Sequence, residues 1–244
     1  MSEKFLRSEV VRISKLMYEK GMVNSLEGNV SAKDGSRIYI TPTGICKGAL
    51  TEDMLVVINE RGEVLEGSYT PTSELKLHLE CYRLRPEIAA VVHNHSPFAT
   101  AYAIADRAIQ SKAYPEMMIA FDKIPVIPYG APSTDAVHAG LYKFIDKTDV
   151  FLISRHGVVS VGANPNDAFY KIEAVESVAK TLTLAKLIGG EAPLSDEQIR
   201  TLYDMRENML RKKRSKESSE EVKEILQDSV GGKDGDYPLQ YLDF

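Results

Sequence analysis

Eight residues, Val91-Val92-His93-Asn94-His95-Ser96-Pro97-Phe98, restrict the fold more than any other stretch of the chain. The apolar run Ala89-Ala90-Val91-Val92 that leads into them reads as a buried strand, and Pro97 ends it because proline cannot continue a ladder. Alternate residues of a strand share a face, so His93 and His95 stand side by side, roughly 7 Å apart along the backbone. Such a pair at a strand end forms half of a metal site that lacks a third and fourth ligand. The plainer reading of His-x-His is two rings that face solvent or accept hydrogen bonds from the core.

A chain of 244 residues can bury a full core without disulfide staples. Its charge of −5 offers no cationic face for phosphate neutralisation, so no nucleic-acid partner is expected. Met1-Ser-Glu-Lys-Phe-Leu-Arg lacks the apolar core of a signal peptide, and no apolar run is long enough to span a bilayer. The expectation is a cytoplasmic protein with no membrane partner. Cys46 and Cys81, without a Cys-x-x-Cys spacing, read as reduced thiols.

In chain order, Leu6, Val10, Ile13 and Met17 make the stripe of an amphipathic helix that Gly21 closes. Gly28-Asn29-Val30-Ser31, the Asp34-Gly35 turn and 37–41 predict a hairpin, and 53–66 predict a second one. Thr41-Pro42-Thr43-Gly44 is either plain turn chemistry or a set of free amides that holds an anion. Thr72 or Ser73 caps a helix that carries Glu74 and His78 on one face. Further helices are predicted over 99–108 and from Ser133 to about Asp146, where His138 is taken as structural, with Ile124-Pro-Val-Ile127 as a strand between them. Val150 to Ser154 is a buried strand that delivers Arg155-His156-Gly157. Asn164-Pro165 opens a long helix, and Ser195 with Gln198 forms a capping box for another. With no repeat and no internal linker, residues 1–210 read as one domain, followed by a charged helix end and tail over 211–244.

His93, His95 and His156 all stand at strand ends, a three-nitrogen set that suits zinc, with Glu74 as fourth ligand or nearby base. Imidazoles also accept manganese, cobalt or iron.

Gly28-Asn29-Val30-Ser31, Thr41-Pro42-Thr43-Gly44, Thr72-Ser73-Glu74, His93-Asn94-His95 and His156-Gly157 follow one another as in the class II aldolase/adducin family, which the chain resembles over about residues 5–205. The resemblance implies an α/β fold of three layers (α/β/α) around a central, mostly antiparallel mixed sheet. It implies one zinc ion per chain on His93, His95 and His156, with Glu74 as resting ligand and base. Gly28, Asn29, Thr43, Gly44, Thr72 and Ser73 match the positions that hold a substrate phosphate. It further implies a homotetramer with sites between subunits. The expected reaction is cleavage of a small ketose 1-phosphate, of the L-fuculose 1-phosphate or 5-deoxypentulose 1-phosphate type, to dihydroxyacetone phosphate and an aldehyde.

The second acid/base is where this chain departs from the family pattern. Tyr114-Pro115-Glu116-Met117-Met118-Ile119 displaces the family's tyrosine and puts Glu116 near a glutamate of dehydratase-like relatives, so Tyr114 and Glu116 compete for the role. The alternatives are a methylthioribulose-phosphate dehydratase, a sugar-acid phosphate decarboxylase, a pentulose-phosphate 4-epimerase, or a metal-free adducin-like assembly module. Glu74 speaks against the epimerases, which carry aspartate there, and the three histidines speak against the module. His78 is taken to support the site or the core, the charge run 211–223 to be a solvated helix, and the tail tyrosines Tyr237 and Tyr241 to be disordered or to reach a neighbouring site.

Overall fold

Leu6, Val10, Ile13 and Met17 repeat with helical spacing, and all four are fully buried on one side of α1 (Glu3–Glu19). Ser2 caps that helix by accepting from the Phe5 amide, and Gly21 at φ 67° turns the chain out of it. The computed structural model describes residues 2–130 and 140–229, with side chains described through Lys212.

A meander follows: β1 (Asn29–Asp34), β2 (Arg37–Ile40), β3 (Val56–Asn59) and β4 (Val64–Glu66), each antiparallel to the one before. Then come α2 (Leu75–Leu84), β5 (Ala90–Asn94), α3 (Pro97–Ile104), β6 (Ile109–Gln110) and α4 (Pro115–Ala120). The chain continues through β7 (Lys123–Ile124), β8 (Val126–Ile127), β9 (Val150–Ile153), β10 (Gly157–Gly162), α5 (Pro165–Leu187) and α6 (Asp196–Ser229). Eight strands form one mixed sheet in the order β4-β3-β2-β1-β5-β10-β9-β8, antiparallel except where β8 runs parallel to β9.

Helices cover both faces of this sheet, as the resemblance implies. Val92, Val30 and Val158 pack with α1, α3 and α5 on one face, while Val91, Val159 and Ile38 pack with α2 on the other. Strands buried on both faces explain the unbroken apolar runs at 89–92 and 150–153. By the strand period His93 falls on the α2 side with Val91, whereas the Asn94 amide contacts Met17 of α1 on the opposite side.

Several elements differ from their sequence expectations for physical reasons. Ile124-Pro-Val-Ile127 is split between two sheets: β7 pairs with β6, β8 pairs with β9, and Pro125, which has no N–H, sits between them and accepts from the Leu152 amide. The helix expected over 99–108 ends at Ile104, and Asp106 follows it at φ 56°. Of the helix expected from Ser133 to Asp146, residues 140–146 are described and form a single 3-10 turn at Leu141–Lys143; Ser133, Asp135 and His138 lie outside the described residues. Tyr237 and Tyr241 lie outside them as well.

Two compact units divide the described residues, the first ending at Leu194 and the second beginning at Ser195. The second unit opens with the expected capping box: the Ser195 amide donates to Gln198 Oε1 at 2.9 Å and the Gln198 amide donates to Ser195 Oγ at 3.3 Å. From there α6 runs unbroken past Arg211 to Ser229. Among the described residues no helix is long and apolar enough to cross a membrane.

Candidate metal centre and anion cleft

β5 lies at the middle of the sheet with a neighbour on each side. Antiparallel pairing sets Asn29 of β1 opposite His93 on one side and Val159 of β10 opposite it on the other. His93 is thereby fully buried, and His95 emerges just beyond the strand end.

The turn from β9 to β10 brings the third imidazole. Arg155 adopts φ 57°, unusual for a residue with a side chain, and its amide donates to the Ala103 carbonyl at 2.9 Å. The chain then reverses at Gly157, where a Cβ would lie 2.6 Å from the Asn94 carbonyl oxygen, 2.6 Å from His95 Cδ2 and 3.1 Å from His93 Cε1. Glycine is what lets the three rings gather.

Their centroids are 5.0, 4.8 and 5.0 Å apart, and their ligand atoms all fall within 4.8 Å of one another. Glu74 completes the group, with Oε2 3.0 Å from His93 Nε2 and Oε1 2.9 Å from His156 Nε2. His93 Nε2 lies 3.1 Å from His95 Nε2. Two ligands of one tetrahedral zinc stand about 3.3 Å apart, given bond lengths of about 2.0–2.1 Å, so these separations suit a shared cation.

The outer ring nitrogens agree. His93 Nδ1 donates to the Val158 carbonyl at 3.0 Å, which leaves Nε2 as the lone pair, and His95 Nδ1 lies 3.3 Å from Glu27 Oε1. In the neutral His93 ring that Nε2 lone pair would face the Glu74 carboxylate; without an ion His93 is drawn to take a proton there, and a cation among the three Nε2 atoms and the carboxylate would stand in that proton's place.

The electrostatics follow from burial and crowding. Burial pushes the Glu74 carboxyl up, but the charge of His93 and hydrogen bonds from His156 and His93 hold it well below the usual carboxylate range. Burial, with His93 and His156 nearby, pushes His95 down to about 4. His93 is raised, because the charge of Glu74 and its hydrogen bond overcome desolvation.

Glu74 itself is the residue before α2, not a first-turn residue capped by Thr72 or Ser73. The Thr72 hydroxyl accepts from the Glu74 amide at 3.3 Å, and this turn aims the carboxylate at the imidazoles.

Beside the metal group is a cleft of about 140 Å³. Gly28, Asn29, Thr43, Thr72 and Ser73 line it, and Glu74 and His95 reach it from the metal side. Gly44, at φ 70°, follows Thr43 in the same turn but is not among the lining residues. The two turns are tied together: the Thr43 amide donates to the Thr70 carbonyl and the Thr72 amide to the Thr41 carbonyl.

Lys47 and Glu27 also line the cleft, and sequence reasoning missed both. Lys47 is 2% exposed, its Nζ donates to the Ile45 carbonyl at 2.9 Å, and burial lowers its pKa. Its one sequence signal is position, three residues past Gly44 in the same turn. Tyr114 and Glu116 are not brought to this cleft: Tyr114 packs beside the α1, α3 and α5 core, and Glu116 is exposed on α4.

Residues 8–183 match the family described as Class II Aldolase and Adducin N-terminal domain. The chain belongs to the class II aldolase/adducin family. Similar to it within that family is the L-fuculose phosphate aldolase of Methanococcus vannielii, 36% identical over 172 residues, which are 70% of this chain and 92% of that protein. The 5-methylthioribulose-1-phosphate/5-deoxyribulose-1-phosphate aldolase of Escherichia coli O45:K1 is 30% identical over 71% of this chain and 81% of its own length. The 3-oxo-tetronate 4-phosphate decarboxylase of Pectobacterium atrosepticum is 31% identical over 82% and 90%. Among solved class II aldolase structures, an L-fuculose 1-phosphate aldolase superposes with a TM-score of 0.76 at 28% identity, covering 84% of this chain and 97% of that one.

Proposed function

We propose that the chain is a zinc-dependent class II aldolase that cleaves a small ketose 1-phosphate, of the L-fuculose 1-phosphate or 5-deoxypentulose 1-phosphate type, to dihydroxyacetone phosphate and an aldehyde. The observation that carries this reading is the meeting of three imidazoles and a buried carboxylate at cation-sharing distances beside a cleft of hydroxyls and one buried lysine. His93, His95, His156 and, at rest, Glu74 would hold the ion; manganese, cobalt or iron would fit the same donors. A divalent cation there supplies Lewis-acid stabilisation of the negative charge left when a carbon–carbon bond beside a ketone breaks.

The remaining work falls to the chain. Lys47 and the hydroxyls of Thr43, Thr72 and Ser73 hold the phosphate, with Gly28 and Asn29 lining the pocket and Gly44 turning the chain just behind Thr43, and so fix the bond to be broken relative to the histidines. Glu74 Oε exchanges the proton at the carbon beside the carbonyl. Tyr114 and Glu116 do not line the cleft of their own chain, so either one would protonate the aldehyde fragment as a residue of a neighbouring subunit in a homotetramer.

A second reading, decarboxylation of a 3-oxo sugar-acid phosphate, is favoured by the similarity to the tetronate-phosphate decarboxylase and uses the same charge stabilisation. Metal-loaded protein incubated with L-fuculose 1-phosphate and 5-deoxyribulose 1-phosphate, with coupled detection of dihydroxyacetone phosphate, separates the two. Release of that triose phosphate supports the aldolase; its absence beside carbon dioxide from a 3-oxo-tetronate 4-phosphate moves the assignment.

A further inference from the structure

Behind Glu74 a line of buried polar groups runs away from the cleft. Asn29 Nδ2 lies 2.9 Å from Glu74 Oε2, and Asn29 Oδ1 lies 2.6 Å from His78 Nε2. His78 Nδ1 lies 2.7 Å from Ser31 Oγ, which lies 2.7 Å from the Tyr82 hydroxyl. His78 and Ser31 are fully buried, and Asn29 and Tyr82 are 4% exposed. Two periodicities build the line. Asn29 and Ser31 alternate on one face of β1, and Glu74, His78 and Tyr82 recur every four residues at the start and along the inner face of α2.

The chemistry of these groups allows one direction of donation. An ionised carboxylate only accepts, so the Asn29 amide presents its N–H to Glu74 and its oxygen to His78. His78 Nε2 must then carry the proton. The ring is fully buried between two neutral partners, so with Nε2 donating to Asn29, Nδ1 is the acceptor and takes the Ser31 hydroxyl. Ser31 in turn accepts from Tyr82, whose own pKa burial raises. Each donor faces an acceptor, from Tyr82 through Ser31, His78 and Asn29 to Glu74.

We propose that His78 is a positioning residue for the reaction: held as its Nε2–H tautomer by Ser31 and Tyr82, it fixes which end of the Asn29 amide meets Glu74 and thereby the orientation of the base. With the other tautomer, Asn29 would turn its oxygen toward the carboxylate and push it off its place between His93 and His156. The proposal rests on the reading of Glu74 as base, but the tautomer it names does not.

The test therefore has an arm that needs no turnover. In zinc-loaded protein labelled with nitrogen-15 at histidine, His78 is expected with its proton on Nε2 and a bare Nδ1 at the pH of the assay; a proton on Nδ1 overturns the proposal whatever the enzyme does. In the kinetic arm, His78→Leu is expected to lower kcat by about 10–100-fold, the scale for losing a partner that orients a metal-site ligand, with zinc content and KM little changed. His78→Gln, which can donate to Asn29 and accept from Ser31, is expected to restore kcat to within about threefold of wild type. Wild-type kcat in His78→Leu, or equal loss in both variants, overturns the proposal. Should His78→Leu fail to fold, Ser31→Ala replaces it, with a several-fold fall in kcat expected at unchanged zinc content and an unchanged kcat overturning the assignment.

Discussion

At one end of the cleft the imidazoles hang from the central strand β5, its end and the tight turn between β9 and β10; at the other, the hydroxyls of Thr43, Thr72 and Ser73 hang from loop turns. His93 is paired through its backbone on both sides, by β1 and by β10, and is fully buried, while His156 is delivered by the turn between two neighbouring strands of the same sheet. Thr43, Thr72 and Ser73 stand on segments joined by a single bridge, Pro42 to Pro71, and a few loop hydrogen bonds. A strand-borne ligand cannot shift without moving the sheet, whereas a turn can be rebuilt at small cost. On the assignment proposed above, the metal end is the more fixed part of the site and the phosphate end the more adjustable part.

The largest expected effect lies at the fixed end. His95→Ala should abolish metal binding and lower turnover by at least about a thousandfold, the scale of losing the main stabiliser of transition-state charge, with the circular dichroism spectrum unchanged. Metal retained at one ion per chain would remove His95 from the ligand set. Next is Gly157→Ala, whose new methyl meets the Asn94 carbonyl and the His95 ring at 2.6 Å. Zinc affinity, measured against a competing chelator, should fall by about 10–100-fold because the rings can no longer close on one centre.

At the adjustable end, Lys47→Met should raise KM by about tenfold or more, as expected for the loss of one charge-assisted hydrogen bond of about 1.5–3 kcal/mol, and leave zinc content alone. An equal loss of metal would erase the contrast between the two ends.

The smallest effect is expected away from both. Asp149 accepts from Arg85 at 2.7 Å and from Lys171 at 2.9 Å, and although burial raises its pKa, the charge of Lys171 and the hydrogen bond from Arg85 lower it overall. A depressed folded-state pKa stabilises above the unfolded value of about 3.9, and that contribution is lost as pH falls toward the folded one. With the side chain about a third exposed, Asp149→Asn should cost about 1–2 kcal/mol in urea unfolding at pH 7. The gap to wild type should close below about pH 4, with kcat at pH 7 unchanged.

What the sequence disclosed, and what it withheld, divides along a similar line. The α1 stripe, the Ser195–Gln198 box, the Asn164 cap and the three strand-end histidines are periodic or locally capped features, and each is found where it was read. Lys47 and Glu27 were not legible, because a single charged residue in a polar turn has no period and acquires meaning only when another turn closes over it. The start of α2 shifted for a related reason: the Glu74 carboxylate is drawn to His93 and His156, contacts that no local propensity encodes. The 124–127 segment was misread as one strand because its partners, β6 and β9, are distant in the chain.

The placement of β5 between β1 and β10 has one more consequence. The ladder that holds β5 between β1 and β10 is made by the protein's own peptide groups, so an ion held at its end would be a guest of a finished scaffold and would add to its stability by mass action. Stripping it with a chelator should leave an empty but intact host, and whichever divalent ion the surroundings then offer can be exchanged in without refolding. The rate of the reaction would change with that supply while the architecture stayed as it was.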